Sequence, residues 1–157
     1  MGRFAIVGAI VLAACGRIGF DGELTPEVAD QARASVAVGD VTACAIRDGD
    51  VWCWGAGEYG QFGGEVSPPA LRPRLVAGVP TATKIAVGRF HVCMVSMAAE
   101  VWCWGGNDYG RVGIAPPTSL VAVPGGPTTL PVKVDLPGPA IEVSVSNDAS
   151  CAVLAGG

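Results

Sequence analysis

Apolar positions in this chain fall in short runs, each cut off by residues that form turns. "ACAI" and "VWCW" flank Arg47-Asp48-Gly49-Asp50, and "HVCMV" and "VWCW" flank Ser96–Glu100. Runs this short, rich in Val, Ile, Trp and Cys, suit strands and are too brief for helices. Asp48-Gly49 between two of them predicts a two-residue hairpin, because a type I′ turn needs positive φ at both central positions. That turn sets a register in which Arg47 faces Asp50, Ile46 faces Val51, Ala45 faces Trp52 and Cys44 faces Cys53. The cysteines then share a non-hydrogen-bonded site, where Cα atoms lie about 4.5 Å apart, within disulfide range. Cys93 and Cys103 enclose one residue more, and a three-residue loop at Met97-Ala98-Ala99 again sets them opposite each other. Two hairpins with different loops thus keep their cysteines paired, which predicts two disulfides in an oxidising compartment. The period-two alternation of a strand puts Trp52 and Trp54 on the face away from Cys53. Both faces are therefore apolar, and Trp52, Trp54, Trp102 and Trp104 are expected as core between neighbouring sheets.

The same pattern recurs along the chain. "VWCWG" stands at 51–55 and at 101–105. Each copy is followed by G-x-x-Y-G-x-x-G, with Tyr59 and Tyr109 at the same offset and both expected in the repeat core. Gly39 matches Gly88, and Cys44 matches Cys93. A third start, "EVSVSNDASCAVLAGG", brings Cys151 to the matching place, so successive cysteines stand 49 and 58 residues apart. Self-similarity at such a period marks a solenoid or a propeller. The repeats run over about 35–84 and 85–140, with a shortened third from 141. An insertion in the Pro-rich stretch 114–131 lengthens the second period.

These residues resemble the regulator-of-chromosome-condensation repeat family, whose bacterial members follow "HxCAL…GxVWCWGxNxxGQLG…PxxV". Here His91, Cys93, Val101–Gly105, Asn107, Gly110 and Gly113 carry that pattern. Cys44, Val51–Gly55, Gly60, Gln61 and Gly63 carry it in the earlier copy. The resemblance covers about 35–157. It implies an all-β chain built as a β-propeller of four-stranded blades, of which about two and a half are expected here. It also implies that His91 is a packing and hydrogen-bonding residue of the repeat core. The chain departs from the pattern in three places: Thr42 and Ala149 replace the family's His, and Met97-Ala98-Ala99 replaces the Asp-Gly turn. The eukaryotic namesake exchanges nucleotide on a small GTPase and docks on chromatin. Its exchange-loop residues find no matching motif here.

The start of the chain changes the expected compartment. Arg3 precedes an uncharged apolar run, Phe4–Ala14, of 11 residues, the length of a signal-peptide core rather than of a membrane span. "LAAC" at 12–15 resembles a bacterial lipobox, with Cys15 as the lipidated residue. Residues 1–14 are therefore read as a lipoprotein signal peptide and 15–34 as a tether, with a short helix from Pro26 to Arg33 capped by Thr25. Residues 35–157 form the repeat domain. The expected location is the outer membrane or cell surface, with the membrane held through the Cys15 lipid. Cys15 takes lipid and Cys44, Cys53, Cys93 and Cys103 form two bridges, so Cys151 is left unpaired.

Charge and motifs narrow the function. Without residues 1–14 the chain keeps 9 basic and 14 acidic residues, a net charge of −5. It has no basic stripe, which disfavours nucleic acid as a partner. A triad would rest wholly on His91, the sole histidine. The four hairpin cysteines lack the close C-x₂₋₄-C spacing of a zinc site. Asp48, Asp50, Glu58 and Asp108 sit in turns without calcium-loop order. "DGDVW" lacks the Ser and Thr of a sialidase Asp-box, and no nucleophile-elbow, Walker or dinucleotide motif occurs. No catalytic residue, metal site or cofactor is expected. The chain reads as an exported binding or scaffold module for an unidentified protein ligand. Loops 56–64 and 106–128 would carry the contacts, and self-association could occur through open propeller ends. The rival readings are an incomplete stretch of a longer propeller protein and a propeller-based enzyme.

Overall fold

The computed structural model describes residues 35–63, 66–114 and 128–156. The signal peptide, Cys15, the tether with its short helix, and most of the Pro-rich insertion lie outside the described residues. Ten strands and no helix are present among them. Blade 1 is an antiparallel sheet of β1 (Ser35–Val38), β2 (Thr42–Arg47), β3 (Asp50–Gly57) and β4 (Ser67–Leu75), in that spatial order. Blade 2 repeats it with β5 (Ala82–Val87), β6 (His91–Ser96), β7 (Val101–Gly106) and β8 (Thr128–Lys133). A two-stranded third unit holds β9 (Ala140–Val145) and β10 (Ser150–Leu154). The prolines of β4 are confined to an edge strand, where a missing N–H breaks no ladder.

The register follows the alternation of the sequence. Cys44 pairs with Cys53, Ala45 with Trp52, Ile46 with Val51 and Arg47 with Asp50. Asp48 (φ 53°) and Gly49 (φ 85°) form the turn, the paired positive φ values of type I′. In blade 2, Cys93 pairs with Cys103 across the longer loop. Ala99, at φ 59°, supplies the left-handed residue that ends a three-residue loop. Both disulfides are formed, with Cα atoms 4.1 and 4.2 Å apart.

The blades stack face to back. The cysteine side of blade 1 (Cys44, Ile46, Val51, Cys53) meets the tryptophan side of blade 2 (Val92, Met94, Trp104) in one apolar core. The cysteine side of blade 2 (Cys93, Val95, Val101, Cys103) meets Val143 and its neighbours in the third unit. Blade 2 is thus covered on both faces. On blade 1, described residues leave Val36 and Val38 exposed and Trp52 and Trp54 half-buried on the tryptophan side.

Two backbone features repeat at each seam. The hairpin tip of one blade accepts from the first strand of the next: Ala82 N–H donates to Gly49 O and Ala140 N–H to Ala99 O, both at 2.8 Å. At the other strand end, a Cβ on Gly39 would run into the Gly88 carbonyl, and one on Gly88 into the Ser146 carbonyl. The three residues hold the same place in consecutive units, and each donates its N–H across its own turn (Gly39 to Thr42 O, Gly88 to His91 O, Ser146 to Ala149 O).

Candidate functional site: a loop rim

One end of the blade stack is built by the loops after β3 and β7 and the short turns before β6 and β10. The glycine motif shapes the longer loops. Gly60 N–H bonds to Gly57 O and Gly63 N–H to Gly60 O, and the second copy repeats this with Asn107, Gly110 and Gly113. Gly60, Gly63, Gly110 and Gly113 all have positive φ, between 73° and 111°, a region that L-residues with a Cβ avoid. Asn107 steadies the second loop through its side chain, accepting from Val112 N–H at 3.3 Å and donating to Ile114 O at 3.4 Å.

The residue after each tyrosine-glycine pair reaches across a seam. Gln61 is buried; it accepts from Tyr59 N–H at 2.9 Å and donates to Arg89 O at 3.3 Å. Trp104 Nε1 donates to the Gln61 carbonyl at 2.9 Å. At the next seam Arg111 holds the corresponding place. Its Nη2 lies 3.1 Å from Asp108 and 3.3 Å from Asp148, with its side chain only 2% exposed. The Arg111 Nε and Nη1 atoms have no protein partner. The guanidinium carbon sits 4.7 Å from the centre of the Phe90 ring and 5.4 Å from that of Tyr109, a cation–π distance to both. Phe90 also takes Tyr59 edge-on at 4.6 Å and Arg89 at 5.0 Å. Arg89 is half-exposed and lies 3.9 Å from Asp40.

The expected core residues separate at this rim. Tyr59 is half-buried against Phe90. Tyr109, expected in the repeat core, is 78% exposed. Its counterpart rests on Phe90, but the matching place in the third unit is held by Asp148, which offers no ring to pack on. Of the four tryptophans, Trp104 is wholly buried, while Trp52, Trp54 and Trp102 are half-buried. Cys151 is a free, exposed thiol.

His91 is buried beneath the rim. Ser150 Oγ donates to Arg111 O at 2.7 Å, so it accepts from His91 Nε2–H at 2.8 Å, which sets the imidazole tautomer. Nδ1 has no protein partner. Burial, aided by the nearby Arg111 charge, lowers the His91 pKa to about 4, against a smaller opposing pull from Asp148. The ring is neutral at pH 7 and shut away from solvent. Among the described residues, no group of three or more His, Cys, Asp or Glu side chains is placed to hold a metal.

The regulator of chromosome condensation (RCC1) repeat profile matches residues 48–95 and 99–153, and a second profile of the same repeat matches 82–111. The chain belongs to the regulator of chromosome condensation repeat family. No significant match occurs among curated proteins. Two solved structures of yeast RCC1 (Prp20) share its fold. One, bound to Kap60, is 22% identical with a TM-score of 0.63 and covers 76% of this chain and 29% of its own. The other, Prp20p from Saccharomyces cerevisiae, is 23% identical with a TM-score of 0.63 and covers 76% and 30%. The chain thus spans under a third of the length of those repeat proteins. Its two blades and third unit are an arc of a regulator-of-chromosome-condensation β-propeller.

Proposed function

We propose that this chain is an exported, lipid-anchored propeller-repeat module that binds a protein of the cell envelope or its surroundings. Cys15 anchors it to membrane, and the loop rim makes the contact. The observation that carries the reading is Tyr109: a large aromatic, mostly exposed, stacked on a buried arginine that shares the Phe90 ring with half-exposed Arg89. Aromatic and arginine side chains on a braced surface are the usual anchors of protein interfaces. Yeast Prp20, of the same repeat type, was solved bound to the protein Kap60, which supports a protein as the class of ligand. Members of the family serve in general as regulators and binders rather than enzymes. The burial of His91, whose ring is shut away from solvent, supports the same choice.

The test has two arms. Envelope fractionation should find the intact chain with membrane and Cys15→Ser released or unprocessed; a Cys15→Ser protein that stays on membrane after signal cleavage overturns the anchor. A photo-crosslinking residue at 109, introduced in the native cell, should yield a defined protein adduct that Arg89→Glu abolishes. Adducts from position 97, at the opposite strand end, with none from 109 would overturn the rim as the contact surface.

A further inference from the structure

The seam between blades 1 and 2 opens outward into a groove of about 570 Å³, within the size range of small-ligand pockets. β4 and the connection after it form one wall, and β8 of blade 2 forms the other. Phe62, Leu75, Ala77, Leu130 and Pro131 make it apolar, and Leu75 and Leu130 are 50% and 65% exposed. Arg74 stands opposite Cys53 in register, on the side of blade 1 that faces blade 2. Its Nη1 donates to Ser67 Oγ at 3.0 Å, and its guanidinium carbon lies 5.8 Å from the centre of the Phe62 ring. None of the ion pairs among the described residues includes Arg74 or its exposed neighbour Arg72. This stretch is a locally positive spot on an acidic chain.

We propose that this groove binds the C-terminal carboxylate of a peptide or protein whose last residues are apolar. Ser67 Oγ accepts from Arg74, so its own hydrogen is left to donate. The hydroxyl and the remaining Arg74 N–H groups together present donors only, which calls for an acceptor carrying negative charge. Nε and Nη2 of Arg74 form the edge that grips both oxygens of a carboxylate. A chain terminus joins that charge to an apolar side chain on the same residue, which matches an arginine set among leucines. An added strand fits this place poorly. Pro68, Pro69 and Pro73 on β4 and Pro131 on β8 lack the N–H that ladder pairing needs. The occupant is therefore held by its charge and its side chains. Arg89, Tyr109, Arg111 and Asp148 do not line the groove, so its fate does not depend on the rim reading.

The probe is the peptide GSGLL, labelled with fluorescein at its amino end and made with either a free carboxylate or an amide at the other. Anisotropy on the full chain should show the acid binding at least about tenfold more tightly than the amide, because the amide removes the charged acceptor. Added salt should narrow the gap. Arg74→Gln should erase the preference, and Leu130→Asp should weaken the acid by setting a like charge beside it. In the unmodified chain the acid peptide should shift the amide NMR signals of Gly63, Leu75 and Gly78, a readout that needs no variant. Equal affinity of acid and amide, a preference that survives Arg74→Gln, or no shift at those amides overturns the proposal. So does equal binding of the amidated peptide GSDLL, which would assign the groove to acidic side chains. Equal competition by hexanoate does the same, since the groove would then take small free carboxylates. The photo-crosslink at 109 reads the rim separately and should be unaffected by Arg74→Gln.

Discussion

The indole of Trp104 in blade 2 donates to the backbone carbonyl of Gln61 in blade 1, at 2.9 Å and out of solvent. One side chain thereby fixes the height of one blade against the loop of its neighbour. Trp104→Phe keeps most of the apolar bulk and loses the donor, leaving a buried carbonyl unsatisfied. It should lower stability by about 1–3 kcal/mol, read from the urea midpoint. Trp54→Phe, at the half-buried counterpart, should cost clearly less.

The disulfides should matter separately from the blades they sit in. Cys44–Cys53 and Cys93–Cys103 close rings of sequence separation 9 and 10. The chain-entropy estimate is about 2–3 kcal/mol for each. Replacing either pair by serine should reduce the unfolding midpoint by a corresponding amount. An unchanged midpoint with and without reductant would mean that hairpin pairing alone sets the stability.

Acid should weaken the fold through His91. Its folded pKa, about 4, lies below the 6.5 of the free side chain. Between these values the unfolded chain binds the proton and the folded chain does not. Stability is therefore full above pH 6.5 and falls as pH drops toward 4, by up to about 3 kcal/mol. His91→Gln should flatten the stability profile over that range. The ring should give an imidazole nitrogen NMR signature of the Nε2–H tautomer at pH 7.

Gly88→Ala should be among the most damaging single-methyl additions, because the new carbon meets the backbone carbonyl of Ser146 rather than a movable side chain. Overpacking of this kind costs about 1–3 kcal/mol. Gly138→Ala, where nothing lies within 4 Å of the added carbon, should stay within about 0.5 kcal/mol of the parent. Thermal unfolding of the two variants gives the comparison.

Much of this architecture was legible in the residues because it is local. Asp48-Gly49 fixed a turn, the turn fixed the pairing of Cys44 with Cys53, and strand alternation placed Trp52 and Trp54 on the other face. The repeat of "VWCWG" then carried that reading to the second blade. What could not be read so easily lies across the seams. Tyr109 looks equivalent to Tyr59 in its own loop, but its exposure depends on Asp148, 39 positions on, standing where Phe90 stands. The Arg111–Asp148 contact was visible only as two substitutions at matched positions, Gln61 to Arg111 and Phe90 to Asp148. Gly39 and Gly88 matched in the alignment, yet their reason, a neighbouring carbonyl pressed against the missing Cβ, appears only when the blades are stacked.

The hairpin-tip bonds give the fold a direction. Gly49 O accepts from Ala82 N–H, and Ala99 O from Ala140 N–H, so each tip offers an acceptor to a strand that comes later in the chain. During synthesis the tip emerges before the strand it will hold. A nascent blade can therefore set its own hairpin and staple first, then receive its successor on an acceptor already in place. Growth from the amino end is built into the bonding pattern, and a break in one tip should misplace the blade after it rather than the blade that contains it.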